Sequence, residues 1–133
     1  MSGTRALLGL LTDGELHRGP ALATRLGVSR TAVWKLVADL RELGVDVESL
    51  PRRGYRLRHP CELLDAERIA EAASATGRAL PVEPEVVFAL DSTNESLYAA
   101  PVGAPGRPRI LFAEIQRAGR GRRGRTWLAP FGA

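Results

Sequence analysis

An arginine- and glycine-rich segment around residue 120 carries the strongest chemical signal in this sequence. The stretch EIQRAGRGRRGRTW, residues 114–127, holds five arginines and three glycines. Glycine lets the backbone wrap an anion and present its N–H groups, and guanidinium groups bind phosphate or carboxylate through planar pairs of donors. Without a ligand the segment should be mobile, because like charges repel and glycine loses much entropy on ordering. The composition therefore predicts a loop that an anionic ligand orders.

Two other interpretations of this segment remain open on physical grounds. It could be an arginine-glycine tail for single-stranded nucleic acid, or a loop whose charges only keep it solvated. The residues that follow, TWLAPFG, are apolar and aromatic, and such a sequence is typical of a chain that re-enters a folded strand. This feature favours an anion-binding loop within a folded domain.

A second polar cluster follows a predicted buried strand. The apolar run VVFAL, residues 86–90, indicates the strand, and the sequence DSTN begins directly after it. Ser92 or Thr93 could cap a helix over NESLYAA, where hydroxyls, an amide and free backbone N–H groups would converge on a small molecule. An ordinary capped helix explains the same residues. A second predicted strand, ILFAEIQ, leads directly into the arginine segment.

The first 60 residues predict three helices and a hairpin. Apolar residues recur at helical spacing in TRALLGLLTDG and again after Pro20, which stands where a first-turn proline belongs. Gly27 should end the second helix, and Ser29 should cap a third helix that runs from about Arg30 to Leu43. Such a helix-turn-helix unit places its last helix in the DNA major groove. The expected buried positions are Ala21, Leu22 and Leu26 in the second helix and Val33, Leu36, Val37, Leu40 and Leu43 in the third.

The third helix and the hairpin supply the expected DNA contacts. The sequence VDVESLPRRGYRL alternates apolar and polar residues and turns at PRRG, which indicates a two-stranded wing. Trp34 could equally pack on this hairpin or face DNA, and the basic face could merely solvate a three-helix module. Helix register, capping serine, turn glycine and basic tip nevertheless agree, which favours DNA binding. The predicted DNA-binding residues are Ser29, Arg30, Thr31, Trp34 and Lys35 on the helix and Arg52 and Arg53 on the wing, with Arg56 placed beside them at its tip.

Charge divides the chain into three parts. Residues 1–60 carry ten bases and six acids, residues 61–116 carry four and nine, and residues 117–133 carry five bases and no acid. Two basic surfaces separated by an acidic segment indicate two different anionic partners. The single cysteine, Cys61, cannot form an internal disulfide, and no apolar run approaches the ~20 residues of a membrane helix. These features favour a cytoplasmic protein without a membrane partner.

The domain boundary is expected near Pro60, which ends the hairpin strand. This gives a first domain of residues 1–60 and a second of residues 61–133. In the second domain Asp65 should cap a helix that runs to about Thr76 and ends at Gly77.

The order and spacing of these features resemble a known family. A winged helix, then DSTN, then EIQRAGRGRRGRTWLAPFGA, together spanning essentially all 133 residues, resemble the N-terminal part of the bifunctional biotin protein ligases that also act as biotin operon repressors. The last stretch is the most specific, whereas a helix-turn-helix fits many regulators. The resemblance implies an α+β chain, with an N-terminal winged helix-turn-helix followed by the first part of a mixed α/β ligase catalytic domain.

The family resemblance also implies a reaction and its site. Biotin and ATP, with Mg²⁺, give biotinyl-5′-adenylate and pyrophosphate, and the biotinyl group then passes to a lysine of a biotin carboxyl carrier protein. The adenylate-bound form is expected to make a homodimer and bind a palindromic double-stranded operator. Carried over by position, the biotin-binding residues are Ser92, Thr93, Asn94, Gln116, Gly119, Arg120 and Arg122, and the adenylate and phosphate loop is Gly119, Arg120, Gly121, Arg122, Arg123 and Gly124.

One family feature has no counterpart in this sequence. The family places an active-site lysine in a lysine-tryptophan-proline-asparagine-aspartate type of motif well downstream of the loop, and the only lysine here is Lys35. We therefore expect no catalytic residue and no metal ligands within the 133 residues, and interpret the chain as a partial gene product. A DNA-binding regulator with a silent ligase remnant is the alternative, and an RNA-binding protein is a more distant one.

Overall fold

The computed structural model describes residues 2–127 and 131–132. The chain divides into two compact units between Leu63 and Leu64. The first unit contains three helices and a hairpin, and the second contains two helices and a parallel pair of strands. Helices and small sheets together confirm the α+β architecture expected from the sequence.

The three helices of the first unit begin and end where local sequence signals place them. They are α1 (Ser2–Leu11), α2 (Gly19–Leu26) and α3 (Arg30–Glu42). Gly27 ends α2 in the left-handed conformation, with φ 66°, which glycine adopts without steric cost. The Ser29 side chain accepts a hydrogen bond from the N–H of Ala32 at 3.1 Å and so caps α3.

A hairpin completes the first unit. Strands β1 (Val47–Leu50) and β2 (Gly54–Leu57) pair antiparallel, with Glu48 opposite Arg56. His17, in the connection before α2, forms a bridge to Tyr55, in which each backbone N–H donates to the other residue's carbonyl at 2.9 Å. The α1–α2 connection therefore pairs with the hairpin through this single bridge, a contact that the sequence pattern did not predict.

The core of the first unit lies between the helices and the hairpin. Its buried apolar side chains include Leu7, Leu8, Leu11, Leu22, Ala23, Val33, Val37, Leu40, Val45, Val47 and Leu57. Two details differ from the predicted helical stripes: Ala21 is exposed while Ala23 is buried, and Leu26, Leu36 and Leu43 are only partly buried. The prediction for Ala21 was wrong because the buried side of α2 is centred between Leu22 and Ala23, and the 3.6-residue turn places Ala21 on the other side of Leu22, towards solvent.

The second unit is built on a parallel strand pair joined by a helix. Its elements are α4 (Ala66–Ala75), β3 (Glu85–Leu90), α5 (Thr93–Ala99) and β4 (Leu111–Gln116). The Asp65 carboxylate caps α4 by accepting from the N–H of Arg68 at 3.0 Å. Strands β3 and β4 run parallel with Leu90 opposite Gln116, so α5 is the crossover that such a pair requires.

Burial in the second unit is sparse. Among the described residues, its only buried apolar side chains are Phe88 and Ile115, one on each strand, and Pro84, just before β3. Phe112 and Tyr98 are exposed, the latter to 94%. The predicted strand over residues 86–90 is confirmed, although Phe88 is its only buried position. The expected re-entry of TWLAPFG into a strand falls partly on residues 128–130, which lie outside the described part of the chain.

Candidate functional site

The exposed face of α3 carries the residues predicted to read DNA. Arg30, Thr31, Trp34 and Lys35 are all exposed, whereas Val33, Val37 and Leu40 of the same helix are buried. Trp34 is 61% exposed, so most of its side chain faces solvent. The helix thus presents one hydroxyl, two cations and an indole on its first turn and a half.

The wing places two of its three predicted arginines at the tip. Arg52 has φ 62° and lies with Arg53 in the tight turn between β1 and β2, and both side chains are exposed. Arg56 is different, because it lies within β2 directly opposite Glu48, and its Nε is 2.6 Å from Glu48 Oε2. The placement of Arg56 at the tip was therefore wrong, and its guanidinium is occupied by a cross-strand ion pair.

In the second unit, the polar residues gather at the carboxyl ends of β3 and β4. Ser92 is buried, and its hydroxyl accepts from the N–H of Glu95 at 3.4 Å, which caps α5. The Gln116 side-chain oxygen accepts hydrogen bonds from the N–H of Thr93, at 3.0 Å, and from its hydroxyl, at 3.2 Å. Asn94 is exposed beside them. Ligands of open parallel sheets bind at this edge.

The arginine-glycine segment folds back on itself as a short loop. The N–H of Gly121 donates to the Arg125 carbonyl at 2.7 Å, and that of Trp127 donates to the Gly119 carbonyl at 2.8 Å. Gly119 is buried, and a Cβ there would lie 2.7 Å from the Trp127 carbonyl oxygen. Glycine is therefore required at this position by close backbone approach, and the tip of the loop is a single 3-10 turn at Arg122–Gly124.

Two ion pairs connect the loop to the end of β3 and the start of α5. Arg117 Nε lies 2.9 Å from Asp91 Oδ1, and Arg120 Nη1 lies 3.0 Å from Glu95 Oε1. By contrast, Arg122, Arg123 and Arg125 are exposed and make no ion pair within the residues that the structure describes. The site therefore brings Ser92, Thr93, Gln116, Gly119 and Arg120 together and leaves three exposed cations at and beside the loop tip.

The described residues contain neither a cluster of metal-binding side chains nor a membrane-spanning helix. Across residues 2–127 and 131–132, no three histidine, cysteine, aspartate or glutamate side chains are grouped so that they could hold a metal ion. Over the same residues no helix is long and apolar enough to span a membrane.

Comparison with known proteins matches both units. Residues 4–56 match the family described as "HTH domain", and residues 87–133 match the "Biotin/lipoate A/B protein ligase family". The bifunctional ligase/repressor BirA of Salmonella typhimurium is 46% identical over 128 residues, which is 96% of this chain and 38% of the relative. The protein of the same name from Escherichia coli is 42% identical over 127 residues, 96% of this chain and 37% of the relative. The protein of the same name from Bacillus subtilis is 35% identical over 122 residues, which is 89% of this chain and 36% of the relative.

These matches define a chain with a helix-turn-helix domain followed by part of a biotin/lipoate ligase domain. The chain is similar to the N-terminal portion of the bifunctional ligase/repressors named above. It spans less than two fifths of the length of these relatives.

Several residues of the site were not predicted from the sequence. Asp91 and Glu95 hold loop arginines, and His17 anchors the wing. Glu95 lies in the first turn of α5, where an acidic residue is favoured by the helix dipole alone. Its pairing with Arg120, 25 positions along the chain, depends on the parallel arrangement of β3 and β4 and leaves no local signal.

Proposed function

We propose that this chain provides the DNA-binding domain and the biotin- and adenylate-binding segments of a biotin-responsive repressor and biotin-protein ligase. The observation that carries the proposal is the convergence of Thr93, Gln116 and the loop Gly119–Gly124 at one edge of a parallel strand pair. Hydroxyl and amide groups suit the ureido ring of biotin, and free guanidinium groups suit a carboxylate or phosphate. The chain's similarity to the ligase/repressors, described above, supports the same assignment.

The proposed site has a division of labour. Asn94 completes the biotin pocket that Thr93 and Gln116 begin. Ser92 contributes chiefly by capping α5 and so fixing the start of that helix. In the complete protein, biotin's carboxylate attacks the α-phosphate of ATP, which gives biotinyl-5′-adenylate and pyrophosphate. Arg120, Arg122 and Arg123 stabilise the negative charge that develops on carboxylate and phosphate oxygens, and the closed loop excludes water. The biotinyl group then goes to a lysine of a carrier protein.

Magnesium enters this proposal only with ATP. Mg²⁺ usually binds through substrate phosphates and one or two carboxylates, and within the described residues no carboxylate cluster offers it a ready-made site. We assign no metal ligand to this chain.

The DNA-binding half of the proposal rests on the exposed face of α3 and on the wing. Ser29, Arg30, Thr31, Trp34 and Lys35 would face the major groove of a double-stranded operator, and Arg52 and Arg53 would contact its phosphates. Such an operator is palindromic when the complete protein forms a homodimer. A cytoplasmic location fits a protein that binds DNA and a carrier protein.

Binding of this chain to a labelled duplex of about 30 bp, followed by fluorescence anisotropy at several KCl concentrations, tests the first half. We expect affinity to fall steeply with salt, and Arg30→Ala or Lys35→Ala to weaken it about tenfold. Arg5→Ala, an exposed change on α1, is the matched control. Salt-insensitive binding, or none, contradicts the DNA-binding assignment.

Titration of the full chain with biotinyl-5′-adenylate, followed by hydrogen exchange, tests the second half. We expect slower exchange at residues 117–127 and around Thr93, and a weaker effect with Arg122→Ala or Gln116→Ala. Adenosine monophosphate serves as the control ligand. Unchanged exchange in a folded chain that still binds DNA supports the other candidate, a DNA-binding regulator with a silent ligase remnant.

A further inference from the structure

A groove in the first unit is lined by four arginines, one of which has no role in the proposal above. Arg18 and the start of α2 form one wall, Arg30 at the start of α3 the second, and Arg52 and Arg53 of the wing the third. No aspartate or glutamate lines this groove. Four guanidinium groups on one concave surface repel one another unless an anion lies between them.

These arginines are not engaged elsewhere in the protein. Among the described residues, none of the four side chains makes an ion pair or an intramolecular hydrogen bond. Three other arginines of the same unit behave differently: Arg41 donates to the Val47 carbonyl at 2.7 Å, Arg56 pairs with Glu48, and Arg58 with Asp46. The groove therefore holds cations that the fold itself leaves available.

Backbone pairing fixes Arg18 beside the wing. His17, the residue before Arg18, is joined to Tyr55 of β2 by the bridge described above. The wing approaches so closely that a Cβ on Gly54 would lie 2.0 Å from the His17 carbonyl oxygen and 3.0 Å from Arg18 Cα. Arg18 itself has extended backbone angles and its side chain caps nothing in α2. Its guanidinium is thus presented from a rigid backbone position.

We infer that Arg18 is a further DNA-binding residue and that its groove binds a phosphodiester of the DNA backbone. The inference rests on the proposed DNA-binding function. Arg30 belongs both to the groove and to the recognition face of α3, so a duplex read by that face passes its backbone across the groove. The N-termini of α2 and α3 add the partial positive ends of two helices. A phosphate held there fixes the orientation of α3 without reading sequence.

Salt-dependent binding of the full chain to a labelled, mixed-sequence duplex of about 30 bp tests this inference. We expect Arg18→Ala to lower the slope of log affinity against log salt by about one and to weaken binding about tenfold near 0.1 M KCl. Arg18→Lys should keep the slope because it keeps the charge. Arg25→Ala removes the same charge from the last turn of α2, outside the groove, and should leave the slope close to that of the original chain.

The outcomes distinguish failure of the proposed DNA-binding function from failure of the role inferred for Arg18. If the original chain does not bind duplex DNA, the proposed DNA-binding function fails and the inference fails with it. If the original chain binds but Arg18→Ala behaves as Arg25→Ala does, only the inference fails. Inorganic phosphate that binds through Arg18 but leaves the affinity for DNA unchanged at constant ionic strength would assign the groove to free phosphate instead. Circular dichroism of Arg18→Ala should match that of the original chain, since its side chain supports no other element.

Discussion

Arg120 and Glu95 form an ion pair, with Nη1 of the arginine 3.0 Å from Oε1 of the glutamate. The pair connects the arginine-glycine loop to the first turn of α5, the helix whose start carries Thr93. Both side chains are about half exposed or more, at 64% and 48%, so the pair is weak. A weak connection is compatible with the proposed role of the loop, because little free energy would be lost if Arg120 turned to an anionic ligand.

Glu95→Gln should loosen this loop without unfolding the unit. Exposed ion pairs contribute roughly 0–1 kcal/mol, so backbone amides near Arg120 should exchange hydrogen about two- to fivefold faster. Exchange measured by mass spectrometry on residues 117–127 provides the readout. Glu83→Gln, an exposed change in the same unit, is the control. Equal exchange in the two variants would show that the pair does not restrain the loop.

Gln116 should stabilise the second unit, whatever its proposed part in biotin binding. Its side-chain oxygen accepts from both the N–H and the hydroxyl of Thr93, and loss of a partly buried acceptor costs about 1–2 kcal/mol. Gln116→Ala should therefore lower the free energy of unfolding by about that amount in urea titrations. Gln116→Glu keeps an acceptor and should retain most of the stability. Equal stability of Gln116→Ala and the original chain would contradict this role.

Gly54 should be indispensable to the wing. Its φ is 139°, and a Cβ there would lie 2.0 Å from the His17 carbonyl oxygen, which belongs to backbone and cannot move aside cheaply. Gly54→Ala should cost more than about 3 kcal/mol and lower the melting temperature of the first unit sharply. Gly27→Ala is the informative comparison, because Gly27 has φ 66° but nothing within 4 Å of the added Cβ. It should cost only about 1–2 kcal/mol, and equal losses would rule out the steric argument.

Protonation of Asp13 should make the first unit less stable in acid. The hydrogen bond from His17, 2.9 Å from Asp13 Oδ1, holds the pKa of Asp13 below its ordinary value, and the N–H of Glu15 adds to this, while partial burial opposes it. Because the pKa is lower in the folded state, the stabilisation is complete above the unfolded-state pKa, about 3.9. It is lost as pH falls through the folded-state pKa.

Asp13→Asn keeps an oxygen acceptor for Glu15 but removes the charge. Urea unfolding at pH 7 and pH 3 should therefore show a smaller loss of stability on acidification for Asp13→Asn than for the original chain. Asp39→Asn, an exposed change on α3, should leave the acid dependence as it is. If Asp13→Asn and the original chain lose equal stability between pH 7 and pH 3, the contact with His17 does not contribute to the free energy of unfolding.

Local sequence signals predicted the helix boundaries well. Ser29, Asp65 and Ser92 each cap the helix that their position indicates, and Gly27 ends α2 in the left-handed conformation. A cap depends on a side chain and on backbone groups two or three residues away, so the residues next to it in the sequence contain the necessary information. The α+β class and the order of elements followed from these signals and from apolar periodicity.

Long-range pairing was beyond the reach of such signals. The sequence alone determined where helices and strands form, that α3 is basic on one face, and that a glycine-spaced group of arginines follows the last strand. Only the tertiary structure decided that β3 and β4 are parallel, that Arg56 faces Glu48 rather than the wing tip, and that Arg120 meets Glu95. Strand register and chain crossover set these contacts, and both depend on how distant segments bury their apolar faces together, which no short stretch of sequence specifies.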